Sequence, residues 1–391
     1  MRLVLAAMLV ASTATAGSIE EVVTRASGTA PFHRALWFIH VEDGNGSVVY
    51  QRDADRLAIP ASIRKLANAA NVAECIGLGT RLQTELWRDG EDLIVRGDGD
   101  PSFGSDRYAF YDHAEFEPFI RALRARGIRG VRNIVADVSR FDRILIPHQW
   151  KVGNLTTDSA APVDALAYDE NELPDQYPVA SPALFFAAHF RAALGEAGIA
   201  VTGADRVQYE RREWTERVAV IESPYVYQLL ATVLKPSHNL FAEMLLKRSS
   251  PTGSYTESRA LEARFLMDIG LEDSEFRFVD GSGLAPDDLV TAGAVVKVLR
   301  WMYAPERRAI WWDLLAEPGS ADGSLRRRLL PLASRLRAKT GSVAGVNSLA
   351  GIIRGRNGGH RLFAIVINHH IGSGAVAVRL IDEITTAIAD F

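Results

Sequence analysis

The chain has 391 residues, of which 48% are hydrophobic and 24% charged, and its formal net charge is −4. This composition excludes a disordered, collagenous or polytopic membrane chain and fits two or three folded segments with a sizeable core. The mild negative charge gives no support to a nucleic-acid partner, and the basic run from Arg124 to Arg132 reads as a solvated face.

In chain order, Arg2 supplies a positive start, Leu3–Ala11 a short apolar run, and Ala14-Thr15-Ala16 a small-x-small ending. That is the pattern of a secretory signal peptide cleaved after Ala16, and the run is too short to span a bilayer. No later stretch reaches about eighteen consecutive apolar residues, so an exported, soluble protein is expected. A helix is predicted over Ser18–Ala26, then strands over Ala35–Glu42 and Ser47–Arg52 joined by the turn Asp43-Gly44-Asn45-Gly46. Pro60-Ala61-Ser62 starts a helix with Ile63, Leu66, Ala67, Ala70 and Ala73 at helical spacing, closed by Gly77 and Gly79. Cys75 is the single cysteine. It can form neither an intramolecular disulfide nor a thiolate metal cage, and its apolar helical setting predicts a buried packing residue.

From about Thr80 to Ser223 the pattern changes to short strands (Leu82–Trp87, Asp92–Arg96, Asn133–Asp137) broken by Gly, Pro and Asp. Helices are predicted over Ala114–Arg126 and Pro182–Ala197, with a polar, Pro-containing loop over Leu173–Pro182. Helices return at Tyr225–Leu234 and from Leu240 to Lys247, separated by Pro236. Three strands follow (Ser334–Thr340, Asn347–Arg354, Arg361–Asn368), then a last helix over Val376–Ala389. The fold class expected is α+β. One antiparallel sheet flanked by helices is built from 17–79 and 225–391, and it is interrupted by a mostly β-rich inserted region, 80–224.

Three short patterns carry chemistry, and each occurs once: Ser62-Ile63-Arg64-Lys65, Ser237-His238-Asn239 and Lys339-Thr340-Gly341. A serine hydroxyl is a weak nucleophile and needs a base beside it. Positions i and i+3 share a helix face, so Lys65 points the same way as Ser62. Lysine acts as a base when burial or a nearby positive charge depresses its pKa, and Lys339 is a candidate for that charge. Ser237, just after a helix-breaking proline, suits a proton relay; Asn239 offers an amide to a substrate carbonyl or to Lys65. Gly341 lets a substrate backbone approach the strand edge, where Lys339 and the hydroxyls of Thr340 and Ser342 suit a carboxylate. The backbone N–H groups of Ser62 and Ser342 suit an oxyanion hole. Taken one at a time, the first two patterns read better as helix caps, and the third also reads as an exposed strand end; the weight lies in all three, in that order.

Together they are the active-serine signature of penicillin-binding proteins and serine β-lactamases. The wider sequence resembles the class C low-molecular-mass penicillin-binding proteins, the D-alanyl-D-alanine carboxypeptidase/endopeptidase family. The matching pieces are Pro60–Lys65 (PASIRK), Gly97–Phe103 (GDGDPSF), Pro236–Glu243 (PSHNLFAE), Asp280–Leu284 (DGSGL), Arg337–Gly351 (RAKTGSVAGVNSLAG) and, more weakly, Gly319–Leu325 (GSADGSL). The resemblance implies a transpeptidase/serine β-lactamase-like domain with an insertion between the first two patterns. It implies cleavage of the D-Ala-D-Ala ends of peptidoglycan stem peptides, and often of the cross-links between them, with acylation by β-lactams. Carried over, Ser62 is the nucleophile, Lys65 the base, Ser237, Asn239 and Lys339 further catalytic groups, and Thr340, Gly341 and Ser342 the substrate-binding strand. Two departures stand out: His238 occupies the position usually held by aspartate, and the insertion is short.

The expected enzyme is therefore a periplasmic serine D,D-peptidase that uses neither a metal nor an organic cofactor. Its expected partners are peptidoglycan and β-lactams, with at most peripheral membrane contact. The alternatives are a serine β-lactamase or esterase on the same scaffold and a non-enzymatic peptidoglycan-binding module. The Gly97-Asp98-Gly99-Asp100 stretch lacks calcium-loop spacing and reads as a tight turn; His369-His370 reads as structural.

Overall fold

A computed structural model describes residues 18–390 apart from 111–114, 174, 176, 356 and 357. The expected signal peptide and the first residue of the expected 114–126 helix lie outside the described residues. Of that helix, Glu117–Ala125 is formed.

The principal sheet has five strands in the order Leu336–Val343, Val346–Arg354, His360–Asn368, Leu36–Asp43, Val48–Arg52, every neighbour antiparallel. The first hairpin of the chain thus pairs with its last strand, Leu36 opposite Asn368. Both faces of the sheet are covered, which is why its inner strands are apolar at nearly every position rather than at alternate ones. Trp37, Ile39 and Val41 pack on one side with Val23 of the first helix (Ile19–Gly28) and Ile381, Ile384 and Ile388 of the last (Gly374–Asp390). Phe38, Ala350, Ile352 and Ala364 pack on the other side, among Leu66 and Ala70 of the Arg64–Cys75 helix, Leu230 and Val296. The first helix begins where the residues direct it. The Ser18 hydroxyl accepts from the Glu21 N–H, and the Glu21 carboxylate accepts from the Ser18 N–H in return.

The inserted stretch forms a second five-stranded sheet, in the order Glu216–Tyr225, Arg81–Asp89, Asp92–Gly97, Ile134–Asp137, Asp205–Gln208. Its first two pairings are antiparallel and its last two parallel. A parallel neighbour needs a crossover. The helices Glu117–Ala125 and Pro182–Glu196 supply the two crossovers and pack Phe119, Leu123, Phe186 and Phe190 into a core of their own. The helix Asn239–Arg248 joins the two cores. Leu240 and Met244 face the inserted unit, while Phe241, Ala242 and Leu245 face the principal one.

One expectation about burial fails. Cys75 is exposed, because it is the last residue of its helix and the chain turns away at Gly77 (φ 88°) before the apolar face completes another turn. The arginines of the basic stretch are exposed, as expected: Arg126 pairs with Glu216 and Arg132 with Asp92. His370 is a structural residue, bonded to Asn347 at 2.9 Å and packed on Phe32. No helix among the described residues is long and apolar enough to cross a membrane.

Candidate active site

Ser62 does not lie in the α-helix itself. It sits in a 3-10 turn, Ala61–Ile63, that runs into the helix Arg64–Cys75. The spacing argument survives the change, because side chains three apart eclipse in a 3-10 turn. Lys65 Nζ donates to Ser62 Oγ at 2.9 Å, to Asn239 Oδ1 at 2.6 Å and to the Ser282 carbonyl at 2.9 Å. Asn239 therefore takes the second of its two predicted tasks, holding Lys65. Its Nδ2 donates to the Ser159 carbonyl of the inserted stretch at 2.8 Å.

Lys65 is fully buried, and burial pulls its pKa down to about 7. The carboxylates of Asp280 and Glu243 oppose that fall, and the Arg64 guanidinium adds to it. Removal from water is thus the leading cause, where the sequence pointed equally to a cationic neighbour. Lys339 is also fully buried and lies well below the ordinary lysine value, through burial first and the Lys65 charge second. Its Nζ donates to Ser237 Oγ at 2.7 Å and to the Thr340 carbonyl at 2.8 Å. The predicted relay serine is therefore bonded to Lys339.

The strand Leu336–Val343 forms the edge of the sheet next to the Ser62 turn. A Cβ on Gly341 would lie 3.0 Å from Ser62 N, 2.9 Å from the Pro60 carbonyl and 2.2 Å from Ser348 Oγ, so only glycine permits this approach. Thr340 Oγ1 donates to Ser324 Oγ at 2.8 Å, and Ser342 Oγ, on an exposed residue, accepts from Asn347 Nδ2 at 3.1 Å. All eight residues selected from the sequence come together here or on the strand that borders the site.

The structure adds residues that spacing did not reveal. The carbonyl that receives Lys65 belongs to the loop 280–285, and buried carboxylates hold that loop. Asp280 accepts from the N–H groups of Ser282, Gly283 and Ala285 and from Trp150 Nε1, at 2.7–3.0 Å. Glu243 accepts from the N–H groups of Gly281 and Ser282 at 2.8–3.0 Å. Burial and the Asp280 charge raise Glu243 to about 7 and push the Asp288 carboxyl well above the usual carboxylate range. Arg64, beside Lys65, makes a fully buried bidentate pair with Glu262 at 2.6 and 2.7 Å and stacks on the partly buried Phe278. Gly283 fits against the Ala61 carbonyl, which a Cβ would meet at 2.1 Å. Glu243 and Asp280 fell within stretches already singled out. Trp150 and Ser159 carried no sequence signal, because they reach the site from loops of the inserted unit.

Residues 31–176 and 165–387 match the model of the D-Ala-D-Ala carboxypeptidase 3 (S13) family. The chain belongs to that family. It is 26% identical over 349 residues to a carboxypeptidase of Mycobacterium tuberculosis, covering 83% of this chain and 74% of that one. It is 25% identical over 443 residues to a D-alanyl-D-alanine carboxypeptidase of Actinomadura sp., covering 90% and 80%. Among solved structures, penicillin-binding protein 4 of Haemophilus influenzae has the same fold, with a TM-score of 0.84 at 17% identity over 95% of this chain and 99% of that one. A predatory peptidoglycan endopeptidase of Bdellovibrio bacteriovorus superimposes with a TM-score of 0.61 at 17% identity, over 91% and 93%. The S13 assignment agrees with the α+β fold and with the active-serine patterns, and it makes this chain a D-Ala-D-Ala carboxypeptidase by family.

Proposed function

We propose that this S13 protein is an exported, periplasmic serine D,D-peptidase that works through an acyl-enzyme on Ser62. The observation that carries this reading is Lys65 Nζ at 2.9 Å from Ser62 Oγ, on an amine that burial brings to about 7. Near neutral pH a sizeable fraction of Lys65 is then the free base that can take the Ser62 proton. The Ser62 oxygen attacks the carbonyl of the penultimate D-Ala, and the N–H groups of Ser62 and Ser342 receive the developing oxyanion. Lys339 and Ser237 form a hydrogen-bonded pair suited to passing a proton to the departing amine. Thr340, Gly341 and Ser342 offer the strand edge to the substrate backbone. Water then attacks the ester and frees the shortened peptide. In this reading 17–79 and 225–391 are the catalytic domain, and 80–224 is an inserted domain that closes one side of the cleft through Trp150 and Ser159.

β-Lactams acylate the same serine in this reading. One of the Bdellovibrio endopeptidase structures, similar in fold, is acylated by penicillin G. Incubation with a fluorescent penicillin, with Ser62→Ala as control, tests the proposal together with D-Ala release from muropeptides. A persistent adduct on the wild type alone, with D-Ala release, is the expected result. Rapid drug turnover would make the protein a β-lactamase instead, and neither labelling nor release would leave it a binding module.

A further inference from the structure

Ser237 adopts φ 75° although it is not glycine. Such a backbone conformation persists only where its surroundings over-determine it. The next residue, His238, is the one that departs from the usual aspartate. Its Nε2 lies 2.6 Å from Glu170 Oε2, and only 11% and 13% of the two side chains are exposed. Its N–H donates to the Thr232 carbonyl at 3.1 Å, and its ring packs edge-on against Phe241. Glu170 arrives from 68 residues away, on the inserted unit. Its other oxygen accepts from Ser105 Oγ at 2.6 Å and Arg107 Nε at 2.8 Å.

The segment that presents Glu170 is itself unusual. Asp169, Glu170 and Asn171 have φ of 45°, 57° and 58° in succession. Asn171 is fully buried and locks the segment, donating to the Pro162 carbonyl at 2.9 Å and accepting from the Tyr168 N–H at 3.2 Å. The chain thus holds one carboxylate in a fixed position against the middle residue of the Ser237–Asn239 element. Glu170, Glu172 and His238 offer donor atoms within 4.8 Å of one another. Glu170 is already shared among Ser105, Arg107 and His238, which favours an ion-pair network over a cation.

We propose that Glu170 is a positioning residue, one that clamps His238 and so holds Ser237 against Lys339 and Asn239 against Lys65. The proposal rests on the serine D,D-peptidase reading. It assigns a task to the inserted unit: closing the clamp on an element whose neighbouring backbone is strained. It also gives a reason for histidine in place of the usual aspartate, since an aspartate facing Glu170 would set two carboxylates against each other.

The test is the rate of Ser62 acylation by fluorescent penicillin, resolved into reversible binding and the covalent step. Glu170→Ala is expected to slow the covalent step about 10- to 100-fold while reversible binding changes by less than about threefold. Glu170→Gln, which keeps the shape and one acceptor, is expected to fall between it and the wild type. His238→Ala is expected to match Glu170→Ala, and the double variant to be no slower than the slower single by more than about twofold, because one contact is lost in each case. The proposal is overturned if both Glu170 variants acylate within about twofold of the wild type. It is equally overturned if the losses multiply in the double variant, or if reversible binding carries the loss. If Glu170→Ala does not fold, the Glu170→Gln and His238→Ala cycle decides. A wild type that takes no label overturns the D,D-peptidase reading and this one with it, whereas a labelled wild type with unaffected variants overturns the clamp alone.

Discussion

Gly341→Ala tests the close approach between the Leu336–Val343 strand and the Ser62 turn. The added Cβ would lie 2.2 Å from Ser348 Oγ, 2.9 Å from the Pro60 carbonyl and 3.0 Å from Ser62 N. Ser348 cannot simply withdraw: it is 2% exposed, and its hydroxyl donates to that same Pro60 carbonyl at 2.7 Å. Breaking the bond costs about 1 kcal/mol. Forcing the strand away from the turn adds an overpacking term of about 1–3 kcal/mol. The total of about 2–4 kcal/mol falls between the N–H groups of Ser62 and Ser342, where the oxyanion is to be held. Felt wholly in the transition state, it slows acylation about 30- to 1,000-fold. The assay is the pseudo-first-order rate of labelling by fluorescent penicillin, with circular dichroism to confirm folding. Gly341→Ala combined with Ser348→Ala removes the shortest contact but not the two backbone ones, so partial recovery is expected. A Gly341→Ala protein that acylates at the wild-type rate would refute the argument.

Three further outcomes are expected. With Lys65 as the proposed neutral base, acylation should rise with pH through about 7 and level off above it, as the fraction of free amine does. A profile flat from pH 5 to 9 would remove Lys65 from that role. Replacing Glu262 alone with glutamine leaves the buried Arg64 guanidinium without its counter-charge and should cost about 3–5 kcal/mol in denaturant unfolding; an unchanged midpoint would contradict the pair's structural role. Asp280→Asn turns one oxygen that receives two N–H donors into a donor itself. It should cost at least about 2 kcal/mol of stability and slow acylation as the Ser282 carbonyl leaves Lys65, read by urea titration and penicillin labelling.

The elements were legible where periodicity or turn chemistry is local. The hairpin at Asp43–Gly46, the strand runs after Ser334 and the last helix all form within a few residues of their expected bounds. The three motifs were legible as a set, and their residues do meet: Ser62 with Lys65, Lys65 with Asn239, and Lys339 with Ser237. Cys75 was misread because the count of apolar positions says nothing about where a helix ends relative to its neighbours. The parallel half of the second sheet was not legible, since parallel pairing joins strands through crossovers whose partners no local pattern names.

The sequence by itself determined which side chains are candidates for the proposed chemistry and in what order they come, because nucleophile, base and strand edge each need a particular residue type at a fixed local spacing. Tertiary structure alone decided how those groups are tuned. Lys65 falls to about 7 because the folded core takes it out of water, and Ser282, Asn239 and Asp280 stand around it only because segments up to 217 residues apart close on one point. His238 shows the same division. As a letter in the chain it was a departure from a pattern; in the fold it has a carboxylate waiting 2.6 Å away. Spacing encodes contacts along one helix or strand, whereas burial and long-range pairing exist only once the two cores have closed on each other.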